Sequence, residues 1–140
     1  MNDLLRLFYK MKKRHNEIYI DLLKKYHISS NELEILLYLY NNPDFNTAKD
    51  VVEKRGIIKS HVSMSIEKLI KKDFIQAIQD DNDKRKYHLI ILDNALPVIE
   101  EGLKIRNQFY QMLLKDVSKE EKETFNHVIQ KIYQNVMEGK

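Results

Sequence analysis

The chain has 140 residues, enough for one domain with a real core, and its 43% hydrophobic and 32% charged composition is that of an ordinary globular protein. It holds no Cys, which excludes disulfides, thiolate metal sites and thiol redox sensing, and only three Gly and two Pro, which argues against a turn-rich all-β architecture. A net charge of +3 permits a nucleic-acid partner without demanding one. No apolar run can span a membrane and Met1 to Arg6 lack the apolar core of a secretion signal, so the expected address is the cytoplasm.

From the N-terminus, Leu4, Leu7, Phe8, Met11, His15, Ile18, Tyr19, Leu22, Leu23 and Tyr26 recur mostly at steps of three and four, which predicts one long amphipathic helix over 3–26. Ser29 and Glu32 are spaced as a capping box ahead of Leu33, Leu36, Leu37 and Tyr40, predicting a second helix that stops at Asn41-Asn42-Pro43. Thr47, with Asp50 three residues on, starts a short third helix to about Lys54, and Gly56 breaks it. A fourth helix is predicted from about Lys59 to Lys72, with Val62, Ile66, Leu69 and Ile70 inward. Asp73 must then reverse the chain, and Asp tolerates the left-handed conformation better than most residues.

Phe74 to Gln79 and Tyr87 to Leu92 are rich in β-branched and aromatic residues, and the polar run Asp80 to Lys86 separates them, which predicts a hairpin with a long tip. Asp93 or Asn94 is expected to cap a fifth helix with Pro97 in its first turn, and its stripe carries Leu96, Ile99, Leu103, Arg106, Phe109, Tyr110, Leu113 and Val117. Ser118 and Glu121 form another capping box before a last helix bearing Phe125, Val128, Ile129, Ile132, Val136 and Met137.

This order, α-α-α-α-β-β-α-α, is mainly α and reads as a winged helix-turn-helix with N- and C-terminal helices forming a dimerisation region. Residues 1–28 and 95–140 are expected to form that helical region, and 29–94 the winged DNA-binding module. The terminal amphipathic helices have little between them to cover, so pairing two copies is the simplest way to bury their faces.

The outer face of the fourth helix presents Lys59, Ser60, His61, Ser63, Met64, Ser65 and Lys68, with no carboxylate until Glu67. Short hydroxyls let a helix approach base edges, and Met64 or His61 can meet a thymine methyl or a purine acceptor. The hairpin tip holds Lys84, Arg85 and Lys86. An Arg there can enter a narrow minor groove, with Asp83 holding its guanidinium by a paired hydrogen bond. Thr47 can offer a phosphate its hydroxyl and a helix N-terminus, and Lys49, Lys54, Arg55, Lys71 and Lys72 are further phosphate candidates. Bulk charge does not mark this region: Thr47 to Lys86 contains ten Lys or Arg and seven Asp or Glu, an excess no greater than that of the whole chain.

Taken in register, Thr47-Ala48-Lys49-Asp50-Val51-Val52, Lys59-Ser60-His61-Val62-Ser63, Leu69-Ile70-Lys71-Lys72-Asp73-Phe74-Ile75 and the wing Asp83-Lys84-Arg85-Lys86, returning through Leu89 and Ile91, resemble the MarR-type transcriptional regulators. The resemblance runs over essentially the whole chain in element order, and its sharpest piece is the Asp-x-Arg wing. It implies a homodimer that binds a palindromic site on double-stranded DNA, acting as a repressor. It also implies release by a small aromatic or anionic effector held between the dimerisation helices and the winged module. Arg14, His15, Tyr19 and Tyr38, with Tyr40 and Arg106, are the residues expected to line that crevice. The chain departs from the family pattern at Asp73, Ile58 and Leu92, where Gly, Ser and Thr are usual.

The five His residues (15, 27, 61, 88 and 127) fit no metal-binding spacing, and there is no Gly-rich phosphate loop or Gly-x-Ser-x-Gly elbow. No enzymatic activity, cofactor or metal is expected. The competing reading is a winged-helix module that binds protein and not DNA. In that case substituting Arg85 or Lys59 removes no duplex affinity.

Overall fold

A computed structural model describes residues 2–139. The elements are α1 Asn2–Glu17, α2 Ile20–Tyr26, α3 Ser30–Asn41, α4 Ala48–Arg55, α5 Lys59–Lys71, β1 Ile75–Gln79, β2 Tyr87–Ile91, a 3-10 turn Asp93–Ala95, α6 Leu96–Leu113 and α7 Lys119–Glu138. The chain divides into two compact units, one reaching to Phe109 and one beginning at Tyr110.

The first unit is built around α3. Its capping box forms on both sides: Ser29 Oγ accepts from Glu32 N at 3.1 Å, and Ser29 N donates to Glu32 Oε2 at 3.4 Å. Beyond this cap Leu33, Ile35, Leu36, Leu37, Tyr38 and Leu39 are all buried, so α3 is a central helix apolar nearly all round and not one with a single inward stripe. Tyr40, expected inward, lies at the surface. Each fully buried Leu or Ile here stabilises the fold by about 1.5–3 kcal/mol. The close approach of α6 to α3 depends on Gly102, where a Cβ would stand 3.3 Å from both Leu33 Cδ1 and Leu37 Cδ2.

The long N-terminal helix predicted over 3–26 is two helices. No residue of α1 is buried, whereas Tyr19 and Leu22 enter the core, so the chain breaks at Ile18–Tyr19, where burial begins. Tertiary burial overrides a periodicity that runs on unbroken through the sequence. α2 ends at His27, which is left-handed (φ 53°), and an exposed bridge from Lys25 Nζ to Glu101 Oε1 at 2.6 Å joins α2 to α6. The shared hydrogen bond raises the Lys25 pKa and lowers that of Glu101.

α4 and α5 form the helix-turn-helix. Gly56 caps α4 at φ 65°, and Asp73 reverses the chain after α5 at φ 57°, as its residue type allows. β1 and β2 pair antiparallel, Ile75 opposite Ile91 and Gln79 opposite Tyr87. Ile75 and Leu89 anchor the hairpin in the core. The free edge of β2 is tied down by Leu89 N donating to Asn46 O at 2.9 Å. The expected side-chain cap at Asp93 does not form. Asp93 lies inside a 3-10 turn closed by Ala95 N to Leu92 O, so a backbone bond takes over the cap's work.

In the second unit, Asp116 (φ 61°) turns the chain and Ser118 Oγ accepts from Glu121 N at 3.1 Å to start α7. No residue of α7 is buried, and Phe125, Val128, Ile129, Ile132, Val136 and Met137 are all exposed on it. Among the described residues, no helix is long and apolar enough to cross a membrane.

Candidate nucleic-acid interface

α5 begins without a side-chain cap, because its N-cap position is Ile58, whose side chain cannot accept a hydrogen bond. From there Lys59, Ser60, His61, Ser63, Met64, Glu67 and Lys68 face solvent, while Val62, Ser65 and Leu69 are buried. Ser65, expected on the outer face, is only 6% exposed. Its position three residues after Val62 and four before Leu69 puts it on the inner stripe, and Ile70, expected inward, is displaced to the surface. Residue type suggested an exposed Ser; helical geometry decided otherwise.

At the start of α4 the Thr47 hydroxyl donates to Asp50 Oδ2 at 2.8 Å and accepts from Asp50 N at 3.2 Å, and Thr47 is buried. It is committed to a capping box and has no hydroxyl to spare for a phosphate. The helix N-terminus remains, with Lys49 exposed beside it.

The wing tip is organised by carboxylates. Asp80 Oδ2 accepts from Asn82 N at 3.0 Å and Asp83 N at 2.9 Å, and Asp80 Oδ1 lies 2.7 Å from His88 Nε2. The other ring nitrogen of His88 lies 2.7 Å from Asn46 Oδ1 in the loop before α4. The His88 bond, followed by the two backbone donors, holds the Asp80 carboxyl at a pKa of about 2. Asp83 Oδ1 accepts from Arg85 N at 3.0 Å and Arg85 Nε at 3.4 Å. The paired grip expected on the guanidinium is therefore a single oxygen shared between backbone and side chain. The Arg85 side chain is 92% exposed, so its charged end is presented outward. Asn46, Asp80 and His88 were not singled out in the sequence, because their link joins positions up to 42 residues apart.

These pieces meet. Thr47, Lys49, Lys59, Arg85 and Lys86 line one cleft of about 850 Å³ together with Asp50, Glu53 and Asp83, so the α4 N-terminus, the start of α5 and the wing open on the same space. Lys84 is exposed on the tip as well. Two of the further phosphate candidates are engaged elsewhere: Arg55 pairs with Glu34 at 3.6 Å and lies over the Tyr38 ring, and Lys72 bonds to Glu32.

Residues 28–86 match the model of the MarR family. Solved structures resemble the chain over nearly its full length. A putative MarR family transcriptional regulator from Listeria monocytogenes, complexed with 26mer DNA, aligns with TM-score 0.86 at 17% identity, covering 99% of this chain and 92% of that one. MepR of S. aureus, in a DNA complex, aligns with TM-score 0.78 at 21% identity over 93% and 96% of the two chains. BpsR of Bordetella bronchiseptica, whose DNA binding is regulated by 6-hydroxynicotinic acid, aligns with TM-score 0.72 at 18% identity over 94% and 98%. No curated protein matches the sequence.

Residues 28–86 match the MarR family's model, and the chain has the winged helix-turn-helix fold of the MarR-type structures it resembles.

In this MarR-type fold the residues expected to line an effector crevice separate into two groups. His15 is edge-on to Tyr19 and Phe109, with ring centroids 5.3 and 5.7 Å away, and Arg106, one turn before Phe109 on α6, has its Nε buried without a hydrogen-bond partner. Arg14 is exposed, 3.9 Å from Glu17. Tyr38 stands apart as a core residue, 2% exposed, with its hydroxyl donating to Phe45 O at 2.7 Å. Burial and the nearby Asp50 raise its pKa, against the opposing pull of Arg55. Its ring serves the α3–α4 junction, where a crevice role was expected. Among the described residues no group of three or more His, Asp or Glu could hold a metal.

Proposed function

We propose that this MarR-type chain is a DNA-binding transcriptional regulator that acts as a homodimer on a palindromic duplex site. The observation that carries this reading is the convergence of Lys49, Lys59, Arg85 and Lys86 on one cleft, beside the exposed Ser60, His61, Ser63 and Met64 of α5. α5 enters the major groove and the wing the adjacent minor groove. α5 carries no Arg, Asn or Gln, so lysine is the side chain on it that can bond the paired acceptors of guanine. Lys59 and His61 then meet purine acceptors, and Met64 meets a thymine methyl. The DNA complexes of the Listeria and S. aureus proteins support the partner.

The apolar side chains that α1 and α7 leave exposed support a dimer built from the terminal helices, with 1–28 and 95–140 serving dimerisation and 29–94 DNA. A dimer seated on a promoter from the cytoplasm excludes polymerase, which makes repression the simplest outcome. The aromatic cluster of His15, Tyr19 and Phe109, with the buried Arg106 Nε one turn before Phe109 on α6, supports a small aromatic anion as effector, the class that regulates BpsR.

Selection of bound sequences from random duplex DNA tests the reading. It should return an inverted repeat with half-sites about 34 Å apart. Fluorescence anisotropy on the recovered duplex should show affinity falling steeply with salt as phosphate contacts release counterions. No enrichment, or binding indifferent to salt, would refute it.

A further inference from the structure

Lys72 was counted among the phosphate candidates, but its ammonium is already occupied. It donates to Glu32 Oε2 at 2.8 Å and to the carbonyl oxygen of His27 at 2.7 Å, spanning 40 and 45 residues of sequence. Glu32 is 1% exposed, and among the described residues the other hydrogen-bond partner of its carboxylate is Ser29 N, in the α3 capping box. A buried carboxylate needs a cation within reach, and Lys72 is the one it has. Both partners sit at a corner. His27 ends α2 in the left-handed conformation, and Lys72 immediately precedes Asp73, whose left-handed turn ends α5. The lysine therefore joins the last turn of the recognition helix to the carbonyl that closes α2 and to the first turn of α3.

We infer that Lys72 is a positioning residue for DNA binding: it clasps the C-terminal end of α5 to the α2–α3 corner, sets the angle at which α5 is presented, and makes α5 follow any displacement of α2. The inference rests on the DNA-binding reading above. Its consequence is specific. A lysine that neutralises a phosphate contributes to the salt dependence of binding; one that only aims a helix does not.

The test uses the full chain and a fluorescein-labelled duplex bearing the selected sequence, titrated by anisotropy across a salt series. Lys72→Met alone leaves Glu32 buried and unpaired, so that variant loses stability. The double variant Glu32→Gln with Lys72→Met removes the buried charge with its partner, while the Gln carbonyl still caps Ser29 N. The double variant is expected to melt close to the wild type yet bind roughly tenfold more weakly. Its salt slope should equal that of the wild type. A slope smaller by about 0.9 for each lysine lost would make Lys72 a phosphate ligand and overturn the inference. So would a well-folded double variant that binds as tightly as the wild type, since the clasp would then stabilise without aiming. Absence of duplex binding by the wild type itself is a different result: it refutes the regulator reading and this one with it.

Discussion

Arg85 is the residue on which the proposed wing contact turns, and its exposure makes the experiment clean. Nothing in the core depends on it, so Arg85→Ala should leave the thermal melt unchanged while weakening duplex binding by about 1–3 kcal/mol, read by anisotropy. An unchanged affinity would favour the protein-binding alternative. The wing's shape depends on another residue, Asp80, whose carboxylate receives two backbone N–H groups and the His88 ring. Its folded pKa of about 2 lies below the ordinary 3.8. The stabilisation it gives is thus complete above the ordinary value and is lost as pH falls through the folded one. The protection of the Asn82 and Asp83 amides, taken against the intrinsic exchange rate at each pH, should fall between about pH 4 and 2, and Asp80→Ala should show the lower protection already at neutral pH. Arg85 was legible as a candidate because it stands at a polar hairpin tip in register with the preceding helix; charge alone would not have marked it. Asp80 and His88 were not legible, because their partnership exists only once the hairpin closes.

At the scale of elements, three of the cap signals act as their physics requires. Ser29 with Glu32, Thr47 with Asp50, and Ser118 mark helix starts in the sequence and bond as caps in the fold, since a cap needs only three or four consecutive residues. Where the cap is missing, a gain is available. Ile58 is exposed at the N-cap of α5, and Ile58→Ser should raise stability to chemical denaturation by about 1 kcal/mol. Gly102→Val tests the opposite case, adding bulk where a Cβ already stands 3.3 Å from two leucines, and should cost about 1–3 kcal/mol in the same assay. The break between α1 and α2 and the inward turn of Ser65 escaped the sequence for a common reason. Each is decided by what lies opposite the helix, and neither breaks the local pattern.

For the molecule as a whole, α1 and α7 stand out as helices whose apolar faces are uncovered. Neither helix has a buried residue, yet both carry Leu, Phe, Ile or Val at helical spacing. Sedimentation should find a particle of twice the 16.8 kDa chain mass, and Ile132→Lys, which sets a charge in the middle of the α7 apolar face, should shift it toward the monomer and weaken duplex binding together. A monomeric wild type that still binds DNA tightly would remove the dimer from the proposal.

The order of elements apart from the division of the first helix, the caps at Ser29, Thr47 and Ser118, and the turns at Gly56 and Asp73 were determined by the sequence, because each depends on neighbours a few positions away. Three further facts were decided by tertiary structure: that α3 is buried all round, that Tyr38 belongs to the core, and that Lys72 spends its charge on Glu32. Burial and long-range pairing arise only when elements distant in sequence come together, and no local pattern encodes which partner a buried group will find.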